Sequence, residues 1–159
     1  MEILKIKNVM EGMPEISYSR DGDAGIDLRA SGIWVVKLDQ IENEEIKSES
    51  YFVESGERIL VKTGIKIAIP KNHYGHIKGR SGLALKNGIH ILAGVIDENY
   101  RNEIGIIIIN LGSKMYKVSK NEKIAQMIIK KYEKVGIEYV NELDETNRNL
   151  SGFGSSGKF

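Results

Sequence analysis

The 159 residues predict an all-β subunit of the jelly-roll or β-sandwich kind, with one short helix and a flexible C-terminal tail. Three observations predict it. Short segments rich in Ile and Val recur along the chain, 17 glycines punctuate them, and several segments alternate apolar with polar residues. In order, the expected strands are ILKIK (3–7), IWVVKL (33–38), RILV (58–61), GIKIAI (64–69), YGHIK (74–78), IHIL (89–92), EIGIIIIN (103–110), KMYKVS (114–119), KIAQMIIKKY (123–132) and GIEYV (136–140). Lys5, Ile6 and Lys7 alternate, as do Ile65, Lys66 and Ile67, which suits strands with one wet face. EIGIIIIN does not alternate, so it is expected to be buried on both faces, in a sandwich or against another subunit. SGLALKNG (81–88) predicts one or two helical turns, opened by Ser81 and closed by Gly88. IENEEIKSES (41–50), inside an enlarged region spanning 31–57, reads as a loop or marginal helix leaving the sheet. Strand signals fade from about Leu143, which divides a 1–142 core domain from a mobile tail at 143–159.

Bulk properties narrow the function. The length suits one domain with a real core. A net charge of +1 gives no electrostatic case for nucleic acid or an anionic membrane as the main partner. Cysteine is absent, which removes disulfides, thiolate nucleophiles and cysteine metal clusters. No signal-peptide run opens the chain, and its most apolar stretch, IGIIIIN, is far too short to span a bilayer. A soluble, cytoplasmic protein is expected, in the host-cell cytoplasm if the source is viral.

Five polar or Gly-rich stretches carry more chemistry than turns need. DAGIDLRA (23–30) sets Asp27 between Ile26 and Leu28, as a capped turn or as a ligand to Mg²⁺ directly or through water. GRSGLALKNG (79–88) puts Arg80, Ser81 and Gly82 at a helix start, either as a capped helix or as an anion site. AGVIDENYRNEIG (93–105) reads as a hairpin. Asp97 follows an apolar run that could partly shield it, as a general base requires, and Tyr100 offers a ring at the turn. Gln126 lies in the apolar strand NEKIAQMII (121–129), bonding backbone or a phosphate oxygen. The fifth stretch is the tail SGFGSSGKF (151–159). Gly152 to Lys158 is spaced like a P-loop, but Phe159 stands where Ser or Thr is needed and 141–150 does not read as a buried strand. Its glycines, hydroxyls and single aromatic suit a segment that folds over a nucleotide. His73, His76 and His90 show no metal-ligand spacing.

Taken together, DAGIDLRA, GRSGLALKNGI, GVIDENYRNEIG, KIAQMII and RNLSGFGSSG resemble the five ordered motifs of the trimeric dUTP pyrophosphatase (dUTPase) family. The resemblance covers nearly the whole chain. It implies a jelly-roll homotrimer with three active sites shared between subunits, and Mg²⁺-dependent hydrolysis of dUTP to dUMP and pyrophosphate. That activity limits uracil in DNA and supplies dUMP for thymidylate synthesis. By resemblance, Asp97 activates water for attack on the α-phosphorus, and Asp27 meets Mg²⁺ through water. Arg80, Ser81, Gly82 and Gln126 hold phosphate oxygens; Arg148, Ser155, Ser156 and Gly157 of the tail grip the β- and γ-phosphates. Gly94, Val95 and Ile96 read uracil through backbone groups. Tyr100 lies under the deoxyribose, and Phe153 stacks on the base.

The chain departs from the family pattern at several points. Asn99 stands for the usual Asp, Asn102 for a frequent Gly, and Lys123 for the usual Arg before Ile-Ala-Gln. Lys78 precedes Gly-Arg-Ser, which lacks the common Pro, and Asn149 and Ser151 replace tail glycines. Two rival readings stand beside the hydrolase. A nucleotide-sensing regulatory protein would use 41–50 against a protein partner. A dCTP deaminase, or a bifunctional deaminase–dUTPase, would need a Glu where this chain has Ile107.

Overall fold

The computed structural model describes residues 2–37 and 42–146. Its strands are β1 (Lys5–Asn8), β2 (Ile26–Arg29), β3 (Ile33–Val36), β4 (Glu44–Lys47), β5 (Ser50–Val53), β6 (Arg58–Ala68), β7 (His73–Gly79), β8 (Ile89–Leu92), β9 (Val95–Ile96), β10 (Glu103–Asn110), β11 (Tyr116–Ser119) and β12 (Lys123–Lys131). The single helix among the described residues, α1, spans Ser81–Asn87. One sheet runs β4-β3-β6-β10-β8, with β1 also on β6; a second runs β2-β12-β7-β9; a third pairs β11 with β5. Every pairing is antiparallel. The all-β expectation holds.

One hydrophobic cluster joins the sheets. Trp34, Ile59, Val61, Ile104, Ile106 and Ile108 meet Leu28, Ile124 and Met127, all essentially inaccessible to solvent. Burial of this many branched side chains is the main stabilising term. Asn110 is buried among them with its amide fully used. Its Nδ2 donates to the carbonyls of Val53 and Lys114 at 2.9 Å, and its Oδ1 accepts from Gly112 N–H at 2.9 Å. Leaving such groups unpaired would cost about 1–3 kcal/mol each.

Several expectations are corrected. RILV and GIKIAI are one strand, β6, which bends at Gly64 with φ 73°. There β10 shifts register between Glu103 and Gly105, and the extra β6 residues form a bulge. Its polar groups are satisfied: Thr63 Oγ1 donates to Ile104 O at 2.7 Å, and Glu103 Oε1 accepts from Gly64 N–H at 2.8 Å. EIGIIIIN alternates after all, with Ile104, Ile106 and Ile108 buried and Gly105, Ile107 and Ile109 half-exposed. Within 41–50, the described residues form no helix; 44–47 are edge strand β4, Ser50 starts β5, and only 42–43 and 48–49 are loop. Ile46 sits opposite Trp34 in the ladder and packs on the core, while Glu44 and Glu45 face solvent and pair with Lys37 and Lys62. Charges on an edge strand block further pairing. GIEYV forms no strand: 132–146 has no regular element, and Ile137 and Tyr139 are 84% and 98% exposed. ILKIK does form β1, but all four of its strand residues are exposed.

Helix α1 buries none of its residues. Arg80, not Ser81, is its N-cap, and no side chain caps it. At the far end Gly88 adopts the left-handed region with φ 72°, as a helix C-terminus favours. It also presses on Gly112: a Cβ on Gly88 would lie 2.5 Å from Gly112 N, and one on Gly112 would lie 2.4 Å from Asn87 O. Leu111 N–H donates to Gly88 O at 2.9 Å, so the helix is tied to the sheet by backbone contact.

Candidate active site

β2, β12 and the start of α1 converge on a cleft of about 730 Å³. Asp27 on β2 lies directly across the ladder from Gln126 on β12, so both project on one face. Lys123 Nζ lies 2.6 Å from Asp27 Oδ2, and Arg80 Nε lies 3.6 Å from Asp27 Oδ1. Ser19 Oγ donates to the same Oδ2 at 2.6 Å and accepts from Lys123 Nζ at 2.7 Å. Burial alone would raise the Asp27 pKa. Hydrogen bonds from Lys123 and Ser19, with the charges of Lys123 and Arg80, outweigh it and hold the carboxyl below its ordinary value. Arg80 Nη1 donates to Lys123 O at 3.0 Å, and Gln126 Nε2 donates to Gly79 O at 3.1 Å. Gly25 leaves room for that amide: a Cβ there would lie 2.5 Å from Gln126 Oε1.

The cleft is cationic although the chain is nearly neutral. Arg20, Arg80, Lys86 and Lys123 line it against Asp23 and Asp27. Ser81 and Gly82 line its mouth, both exposed, and a Cβ on Gly82 would meet nothing within 4 Å. Open backbone N–H groups at a mouth rich in cations suit an anion. Ser19, Arg20, Asp23 and Lys86 also line the cleft, and no sequence pattern singles them out. Ser19 lies 104 residues from Lys123, and no local pattern marks the pair.

Residues 93–105 are not a hairpin. β9 pairs with β7, through Gly75 opposite Ile96, whereas β10 belongs to the other sheet. The loop between them therefore crosses from sheet to sheet. Gly94 takes φ 128°, and a Cβ on it would lie 2.8 Å from Ile77 O. Its carbonyl accepts from Ile77 N–H at 2.8 Å. Gly94, Val95 and Ile96 line an apolar crevice of about 140 Å³ with Ile77, Ile91 and Ile107. Tyr100 is 38% exposed, and its hydroxyl donates to Glu103 O at 2.9 Å. Arg101 Nη1 donates to the carbonyls of Glu98 and Tyr100, at 2.6 and 2.9 Å, so the turn is held without any side chain at position 99.

Within one chain the expected site falls into two parts. Asp27, Arg80, Ser81, Gly82 and Gln126 share the cleft; Gly94, Val95 and Ile96 share the crevice, and no residue lines both. Asp97 lines neither and is exposed, not shielded. Arg148, Phe153, Ser155, Ser156 and Gly157 lie outside the described residues. Among the described residues no cluster of three His, Cys, Asp or Glu side chains could hold a metal, and no helix is long and apolar enough to cross a membrane.

The fold is antiparallel and jelly-roll-like, with a cationic cleft between strand and helix start. The dUTPase family model matches residues 46–157. The chain is 44% identical over 157 residues to the deoxyuridine 5'-triphosphate nucleotidohydrolase of Clostridium tetani, covering 98% of this chain and 97% of the relative. It is 43% identical to the protein of the same name from Alkaliphilus metalliredigens, covering 99% and 96%. Among solved structures it is similar in fold to the dUTPase of Staphylococcus bacteriophage 80alpha with dUPNHPP, at 24% identity and TM-score 0.77, covering 99% of both chains. The chain belongs to the dUTPase family.

Proposed function

We propose that the chain is a dUTP diphosphatase, hydrolysing dUTP to dUMP and pyrophosphate. The observation that carries the reading is the cationic cleft, in which Asp27, Arg80 and Gln126 stand together in a chain of this family. Arg80, Ser81, Gly82 and Gln126 bind phosphate oxygens. Gln126 is already aimed by Gly79, and Arg80 by Asp27 and Lys123. Phosphoryl transfer asks mainly for placement and charge neutralisation, which these groups supply.

Asp97 takes a proton from water as the oxygen attacks the α-phosphorus. The bond from that phosphorus to the bridging oxygen breaks, and pyrophosphate leaves with the electron pair. Gly94, Val95 and Ile96 present backbone groups to uracil. Cytosine reverses that donor and acceptor pattern, and buried unpaired groups reject it by up to ~10⁴-fold. Tyr100 packs under the deoxyribose.

Because Asp97 lies in neither the cleft nor the crevice of its own chain, the reading needs a homotrimer in which one subunit supplies the cleft and another the 94–100 loop. The tail, through Arg148, Phe153, Ser155, Ser156 and Gly157, closes over nucleotide held by the other two and excludes competing water.

Asp27 is the one carboxylate of the expected set that faces the phosphate groups, and both its oxygens already meet cations. That donor set fits an ion carried on a triphosphate and reached through water, not an ion held by the protein itself. Bound Mg²⁺ supplies charge neutralisation on the phosphates. A mutant dUTPase from phage phi11 is described with a structural Mg(II) ion, which favours the metal in this family.

The test is pyrophosphate release from dUTP, dCTP, dTTP and UTP, each with Mg²⁺ and with EDTA. Fast Mg²⁺-dependent release from dUTP alone is expected. Ammonia release from dCTP, or no release from any nucleotide, sinks the reading.

A further inference from the structure

Arg80 bears most of the phosphate reading, and part of its support reaches beyond the cleft. Its Nη1 donates to the Lys123 carbonyl at 3.0 Å, so its position follows the Lys123 backbone. That backbone leaves a tight turn closed by Glu122 N–H donating to Ser119 O at 3.1 Å. Asn121 holds φ 65° in this turn, a left-handed conformation that asparagine accepts more readily than other non-glycine residues. Backbone bonds to the neighbouring strand hold the turn, Asn121 N–H donating to Ala30 O at 2.8 Å and Ala30 N–H donating to Glu122 O at 2.9 Å, and the Glu122 side chain adds to that hold. Its Oε2 accepts from Ser119 N–H at 2.9 Å, and its Oε1 accepts from the Tyr116 hydroxyl. Tyr116 in turn packs on the core cluster. Burial, then the Glu122 contact, raise the Tyr116 pKa, while the positive charge of Arg80 opposes them. The guanidinium is thus within electrostatic reach of the phenol.

The geometry points to Tyr116 and Glu122 as a positioning pair that sets Arg80 for phosphate binding, acting through the 119–122 turn and the Lys123 carbonyl. The inference rests on the reading of Arg80 as a phosphate ligand. Neither residue touches nucleotide or moves a proton. Removing the phenolic hydroxyl leaves Glu122 Oε1 without its donor. The bonds to Ala30 and Arg29 remain, so one side of the turn loosens and the Lys123 carbonyl shifts with it. In a positioned site a displacement near 1 Å costs about tenfold or more.

The test is a double-mutant cycle on the full chain: Tyr116→Phe and Glu122→Gln, alone and combined with Arg80→Ala. KM and kcat for dUTP, the Kd for the imido analogue dUpNHpp and the thermal midpoint are measured for each. Tyr116→Phe should raise KM and Kd about 5- to 10-fold with kcat within about twofold. In the Arg80→Ala background the same substitution should change Kd less than about twofold, because the interaction it served is gone. An equal rise in both backgrounds overturns the inference, as does an unchanged Kd in Tyr116→Phe alone. Tyr116→Phe keeps its ring in the core, so it decides the matter even if Glu122→Gln fails to fold. Wild type that binds dUpNHpp without hydrolysing dUTP would end the hydrolase reading, and the Kd cycle would still judge the pair.

Discussion

The cleft around Asp27 and the loop from Gly94 to Asn102 differ in how much of their geometry one chain supplies. In the cleft three side chains are held by side chains or backbone of the same chain: Asp27 by Lys123 and Ser19, Arg80 by Asp27 and Lys123 O, Gln126 by Gly79 O. In the loop the backbone is fixed, by Gly94 O to Ile77 and by Arg101 to two carbonyls, but Asp97 itself stands in solvent. The proposed binding groups are preorganised before any partner arrives, whereas the proposed base, Asp97, stands clear of the cleft it would serve. An exposed carboxylate makes a poor general base, so a lone subunit should bind phosphate better than it hydrolyses.

The largest effect should come from Asp97→Asn. Turnover should fall about 10²- to 10⁴-fold, the usual share of a general base, while dUpNHpp binding and thermal stability stay near wild type. Normal turnover would remove Asp97 from that role. Mixing this variant with Arg80→Ala under refolding conditions sharpens the comparison. If subunits share sites, roughly a third of the sites in mixed trimers, and about a quarter of all sites after equal mixing, regain both groups. Activity that stays at the level of the two separate variants would mean that each site belongs to one chain.

Gly25→Ala should cost less, about fivefold to tenfold in kcat/KM, because the new Cβ at 2.5 Å from Gln126 Oε1 must displace a flexible amide. Steady-state kinetics would show it, with little change in the thermal midpoint. Asp27 should add a pH dependence to stability. Its folded pKa lies below the ordinary 3.8, so its contribution is present above pH 3.8 and is lost as pH falls through the folded value. Asp27→Asn should flatten that part of the acid melting profile; an unchanged acid slope would show that the ion pairs contribute nothing. The smallest effect should be that of Asn99→Asp. Arg101 holds backbone carbonyls there, so restoring the family's carboxylate should alter kcat by no more than about twofold.

Much of the fold was legible because alternation and glycine spacing are local signals. β7, β8, β10 and β12 fall close to where their Ile and Val residues place them. What was missed depends on distant partners. Ile46 makes Glu44–Lys47 a strand only because Trp34 lies opposite it. GIEYV has a strand-like pattern, yet in one chain nothing lies against Ile137 or Tyr139. The join of two expected strands into β6 turns on Gly64, whose bulge is completed by Glu103, 39 residues away. The same holds for the cleft. Asp27, Arg80 and Gln126 stand in recognisable stretches, but Ser19 has meaning only once it meets Lys123, and the local Tyr116–Glu122 pair only once Lys123 O meets Arg80.

The contact between Gly88 and Gly112 reaches past packing. Each blocks a side chain on the other's segment with backbone atoms, not with a side chain that a second change could shrink. No substitution at one position can therefore rescue a substitution at the other. The helix that begins beside Arg80 is thus anchored at its other end by main chain alone, a seam closed to any side chain from either segment.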